Sequence, residues 1–204
     1  MIYSGIDWSG DAGDPRKSGL SPLLVTAIAH IDGNQLPLLH EVLDRVRADR
    51  GLSAGFAFRY SASSDRVRAA FFSEFRNVPM SARAMIVDKR RWGPERYRSR
   101  GYERIDECIV SLVCACPPEM IAGQVLLIDQ PRKETAAVTR TATAVKRGLR
   151  GIGVHPYPQI KPVPDHRAQG SIVQVADMIA GALHDAGAVE GPYLASLRGR
   201  IVLV

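Results

Sequence analysis

The 204 residues are enough for one domain with an insertion, and 46% apolar content is ordinary for a chain that buries a core. Lysine and arginine outnumber aspartate and glutamate by 27 to 21, giving +6 at neutral pH and an isoelectric point near 9.5, which suits a polyanionic partner better than a neutral metabolite. No run approaches the roughly 18 apolar residues of a membrane span, the first residues carry no signal-peptide pattern, and Cys108, Cys114 and Cys116 lack zinc spacing, so a cytoplasmic protein with core cysteines is expected.

Met1 to Trp8 alternates and runs into the turn-rich stretch Ser9 to Gly19; Leu23 to Ala29 reads as a second, buried strand, so the two predict a hairpin. From Asn34 to Arg50, apolar residues at Leu36, Leu39, Val42, Leu43 and Val46 keep the helical period, which stops at Gly51. A second amphipathic helix follows Ser63-Ser64-Asp65, with Val67, Ala70, Phe71 and Phe75 on one face. Ala84 to Val87 is a short buried strand, and Tyr102, Ile105, Ile109, Leu112, Val113 and Cys116 mark a helix that Pro117-Pro118 ends. Val125 to Ile128 is a strand ending at Asp129. Helix signals then cover Glu134 to Leu149, an extended segment covers Gln159 to Val163, and Ile172, Val175, Ala176, Ile179 and Leu183 define a closing helix.

No repeat or low-complexity linker divides the chain, so residues 1–204 are expected to form a single α/β domain with a helical insert at roughly 34–80, after the second strand. With the insert removed, the order is that of ribonuclease H: a mixed five-stranded sheet flanked by helices.

Three aspartates fall where such a sheet would gather them. Asp7 ends the first strand, Asp129 ends a strand placed beside it, and Asp177 lies on the last helix. Sites in open α/β sheets collect at the carboxyl ends of strands. Carboxylates meeting there repel one another, and a hard divalent cation such as Mg2+ or Mn2+ relieves the repulsion; two ions about 4 Å apart would clamp the attacking and leaving oxygens of a phosphodiester. Each acid also has a plainer reading. Asp7, Asp11 and Asp14 stand among glycines and could form turns, Asp129 precedes Gln130-Pro131 as a loop or cap residue would, and Asp88 also follows a strand directly and competes with Asp129. Asp177 is harder to dismiss, because Val173-Gln174-Val175-Ala176-Asp177-Met178-Ile179-Ala180 surrounds it with apolar neighbours.

The segments Tyr3-Ser4-Gly5-Ile6-Asp7-Trp8-Ser9-Gly10-Asp11, Leu127-Ile128-Asp129 and Ser171 with Val173 to Gly181 resemble the family catalogued as domain of unknown function 3800. Phe56-Ala57-Phe58-Arg59-Tyr60 and Arg66 to Phe72 resemble its middle segment. The resemblance implies a ribonuclease-H-like fold, metal ligation by Asp7, Asp177 and Asp129, and nucleic acid as substrate. Two positions depart from the family pattern: Trp8 stands where the family has a glutamate, whose role is then absent or taken by Asp11, and Val173 replaces a leucine.

A fourth acid is expected on the helix after the third strand, where Glu103, Asp106 and Glu107 are available and Glu107 is favoured. His166, just before the final helix, could carry a proton to the leaving oxygen, or be an idle loop histidine. Lys89, Arg90, Arg91 and Trp92, with Arg132, are candidates for nucleic-acid contact, the indole offering a stacking face; a solvated basic turn is the alternative. The expected function is metal-dependent phosphodiester hydrolysis on DNA or RNA with two Mg2+ or Mn2+ ions. The alternative is a non-catalytic nucleic-acid-binding or defence and mobile-element interaction module with the same fold.

Overall fold

A computed structural model describes residues 1–129, 135–163, 170–187 and 191–204. Six strands form one mixed sheet: β1 (Ile2–Ser9), β2 (Leu23–Asp32), β3 (Met80–Asp88), β4 (Val125–Asp129), β5 (Gln159–Val163) and β6 (Ile201–Leu203), in the order β5-β4-β1-β2-β3-β6. β1, β2 and β3 are antiparallel neighbours, while β4, β5 and β6 join in parallel. The sheet therefore has one strand more than the five expected. β6 is only three residues long, and its pairing of Ile201 with Ala82 is a tertiary event that a short apolar run does not announce.

Among the described residues, six α-helices accompany the sheet: α1 (Leu36–Asp49), α2 (Asp65–Phe75), α3 (Gly101–Cys114), α4 (Pro118–Ile121), α5 (Thr135–Gly151) and α6 (Ser171–Ala186). α1 and α2 lie in the connection between β2 and β3. Ser64 starts α2 by accepting the Val67 N–H, and the apolar stripe of α1, at Leu39, Val42, Leu43 and Val46, is buried.

Alternation along the strands sorts the core into two layers. Val25, Ala27, Ala29, Val125 and Leu127 pack with α6, α1 and α2 on one face. Ile6, Ile28, Leu126 and Ile128 pack with α3 and α5 on the other. All three cysteines are free thiols, and Cys108 and Cys116 are buried among these apolar side chains. No helix among the described residues is long and apolar enough to cross a membrane.

Candidate active site

β1 and β4 lie side by side in parallel, with Ile6 opposite Ile128, so the next residues, Asp7 and Asp129, end adjacent strands at the same edge. β1 leaves this edge toward β2 and β4 leaves it toward β5, which makes the gap between them the point where the winding of the sheet reverses. Since Gly5 and Leu127 face α6, alternation aims Asp7 and Asp129 to that same side. Helix α6 approaches β1 very closely: a Cβ on Gly5 would stand 2.4 Å from the Ile172 carbonyl oxygen. That contact carries Asp177, further along α6, to the carboxyl end of β1. From Ser171 to Leu183 every residue of α6 except Asp177 is buried, so a carboxylate has been placed on an otherwise apolar helix.

The carboxyls of Asp7 and Asp177 lie close enough to act on each other. Burial, then the nearby Asp177 charge, raises the Asp7 carboxyl well above the ordinary aspartate value; the Trp8 N–H, donating to its Oδ1 across 2.7 Å, opposes this and the Asp129 charge adds to it. Burial also raises Asp177, against the Tyr60 N–H, which donates to its Oδ1 across 2.7 Å, and against the charge of Arg59. Burial thus favours the protonated form of both carboxyls when no cation is present. Asp129 bears on both electrostatically and stands 3.6 Å from the Arg59 guanidinium. Among the described residues, no three carboxylate, histidine or cysteine side chains are grouped tightly enough to hold one ion as they stand. Two of the expected ligands are therefore in contact, and the third is turned to an arginine.

Arg59 was not among the residues expected at the site. It arrives on the extended segment Phe56 to Tyr60, which α6 holds by its side chains: the Phe58 N–H donates to Gln174 Oε1 across 2.8 Å, and the Tyr60 N–H donates to Asp177. Tyr60 packs on α6 at Gly181, where any Cβ would come 2.3 Å from the phenol ring. Phe58 and Tyr60 are buried, so Arg59 between them points the other way, toward the acids. The aromatic alternation of Phe56-Ala57-Phe58-Arg59-Tyr60 was the available signal; what it lacked was the address of the exposed side.

The chain overlays the crystal structure of ribonuclease H2 from Pyrococcus horikoshii OT3 with a TM-score of 0.57 and 18% identity, covering 91% of this chain and 73% of that one. The fold is of the ribonuclease H type. Bst-RNase HIII in complex with Mn2+ is matched with a TM-score of 0.46 and 14% identity over 98% of this chain and 63% of that one. No family model matches the sequence, and no curated protein matches it.

On this ribonuclease-H-type sheet the remaining expected residues separate. Glu107 is exposed on α3, on the opposite layer from α6, and pairs with Arg96; it is not brought to the three aspartates. Glu103 caps its own helix by accepting the Arg100 N–H, and Asp106 is buried against Thr141 Oγ1 and Arg140 Nε, each 2.5 Å away. Lys89 is fully buried, its ammonium donating to the Asp11 carbonyl and carboxylate and to the Gly13 carbonyl at 2.8 to 3.0 Å, so it pins the loop after β1 rather than presenting a charge to a ligand. Asp11 spends its carboxylate on Lys89 and on the Gly13 and Ser21 N–H groups, which leaves it unsuited to replace an acid at Trp8. Asp88 ends β3, two strands from Asp7, and binds Arg90. Arg90 and Arg91 are exposed at the same sheet edge as the acids, with Trp92 beside Arg96 and Tyr97. Arg132 and His166 lie outside the described residues.

Proposed function

We propose that this protein is a divalent-metal-dependent nuclease, with Asp7, Asp129 and Asp177 as the acids that hold Mg2+ or Mn2+ and nucleic acid as the substrate. The observation that carries the proposal is the contact between the Asp7 and Asp177 carboxyls at the reversal point of the sheet, with Asp129 on the adjoining strand end. Mutual repulsion costs free energy at neutral pH, and a fold that keeps two such carboxyls in contact has a use for a cation. The donor set is chemically right for a hard divalent ion, which would supply an activated water and stabilise the leaving oxygen. Asp129 completes that set when it leaves Arg59. Arg59, released, stands where a guanidinium meets the phosphate of a bound strand, and Arg90 and Arg91 continue the positive path along the same edge. The match to ribonuclease H2 supports the scaffold for this chemistry, and the resemblance to the domain of unknown function 3800 family points the same way.

A second reading is favoured by one observation: the third acid pairs with an arginine and Trp8 occupies the position of the acid next to Asp7, as suits a nucleic-acid-binding module without catalysis. Asp177→Asn separates the two. For a nuclease it lowers Mn2+-dependent cleavage by roughly 100-fold or more, the loss of several kcal/mol of metal stabilisation, and weakens Mn2+ binding measured by calorimetry. Unchanged Mn2+ affinity together with a lowered melting temperature would mean that Asp177 serves only to hold the Tyr60 backbone.

A further inference from the structure

On the face of the sheet opposite Asp7 and Asp177, a cleft of about 130 Å3, partly open to solvent, lies between α3, α5 and the ends of β1 and β4. We propose that this cleft receives a single nucleobase of the bound strand, next to the phosphodiester held at the acids, with Trp8 as its stacking surface. This rests on the nucleic-acid reading above and extends it to how the strand is gripped.

Four observations converge. First, the strand pleat that turns Asp7 toward α6 must turn Trp8 to the other face, and Trp8 indeed packs with the α3 and α5 layer and lines the cleft. Second, Asp129 borders the cleft and also bears on the acid pair, so the cleft adjoins the candidate metal site. Third, the lining is mostly apolar and aromatic, with Trp8, Tyr102 and Ile128 beside a few fixed polar groups, as in sites that take a flat organic group. The polar groups are held in place: Asp106 is buried and bound by Thr141 and Arg140, and the Arg140 guanidinium lies 3.9 Å over the Tyr102 ring. Fourth, Arg140 and Arg147 of α5 line one adjoining surface that carries no acidic side chain, which offers positive charge to a phosphate flanking a base. On the other side Arg96 stands with Glu103, Asp106 and Glu107 and pairs with Glu107. A flat, amphipathic group tethered to an anionic chain meets all four conditions. A base held there would fix the register of the strand on one side of the sheet while its phosphate is held on the other.

The test uses full-length protein in EDTA, so that binding is read without cleavage. The chain has two tryptophans, so Trp92→Phe leaves Trp8 as the only indole and its fluorescence as the probe. A ten-nucleotide single strand is titrated, then a series of the same strand in which one abasic residue is walked through every position. The expected result is quenching of Trp8 by the intact strand, lost when the abasic residue sits at one particular position. Trp8→Ala should weaken the intact strand by roughly 5- to 100-fold and leave the strand abasic at that position unchanged, while Trp8→Phe keeps most of the affinity. Equal quenching by every abasic strand, or an equal loss for intact and abasic strands in Trp8→Ala, overturns the pocket. If Trp8→Ala fails to fold, the abasic series on protein with Trp8 intact decides alone. Position-dependent quenching without Mn2+-dependent cleavage would support the pocket and sink the nuclease; cleavage with no position dependence would do the reverse.

Discussion

Gly5 of β1 and Ile172 of α6 touch through their backbones, at a distance that leaves no room for a side chain on the glycine. The acid pair depends on this contact, because Asp7 lies two residues beyond Gly5 and Asp177 five beyond Ile172. Gly5→Ala must push helix and strand apart, at a cost of about 1–3 kcal/mol as for other overpacked sites. Urea unfolding should show that loss, and calorimetry should show weaker Mn2+ binding although no ligand has been changed. A variant as stable as the parent, with unaltered Mn2+ affinity, would mean the two elements can separate without cost to the site.

The raised carboxyls of Asp7 and Asp177 predict an unusual dependence of stability on pH. Both folded-state carboxyls sit above the ordinary value of 3.8, held there first by burial. Folding therefore favours proton uptake, so this contribution is fully present below about pH 4 and is lost as pH rises through the raised values. Asp7→Asn removes the group that is lost. Without metal, the variant should match the parent in acid and melt higher than it near neutral pH, and Mn2+ should raise the parent alone. A variant that melts lower than the parent at neutral pH without metal would contradict the assignment.

Arg59, beside Asp129, supplies in the metal-free protein part of the positive charge that a cation would bring. Arg59→Met keeps the length of the side chain and removes the competitor. Mn2+ should bind several-fold more tightly to this variant, while its affinity for an oligonucleotide falls. Calorimetric titration of both proteins with Mn2+ checks the first half, and an unchanged or weaker metal affinity would show that Arg59 does not compete for Asp129.

Neighbouring cations on one short stretch should behave differently. Arg90 and Arg91 are exposed, so replacing both with alanine should reduce the slope of log affinity for an oligonucleotide against log salt by about 1 to 2 and leave stability nearly unchanged. Lys89 is buried with three oxygen acceptors. Lys89→Met should cost about 1–3 kcal/mol in chemical denaturation by leaving those acceptors unmatched, with the salt slope preserved. Salt titrations of both variants would expose an error in either assignment.

Much of the scaffold was legible in the amino-acid order. The hairpin of β1 and β2, the helical insert, the strand at Val125–Asp129 and the amphipathic α6 follow from hydrophobic period and from local stop signals, which act over a few residues. The positions of Asp7 and Asp129 near the ends of strands and of Asp177 on an apolar helix were legible as well, because these are local features. Tertiary structure alone decided what surrounds them. Lys89 looked like a ligand-facing base because its neighbours Arg90 and Arg91 are exposed, yet the chain folds the loop after β1 over it. Glu107 was favoured over Asp106 because period places them on adjoining faces, and only the packing of α5 decides which face is covered. Arg59 gave no sign of its destination, since nothing local says that Gln174 and Asp177 will hold the backbone on either side of it. Periodicity reports which side of an element is apolar; which partner meets that side, and which charge is thereby brought to another, depends on contacts between residues more than a hundred positions apart.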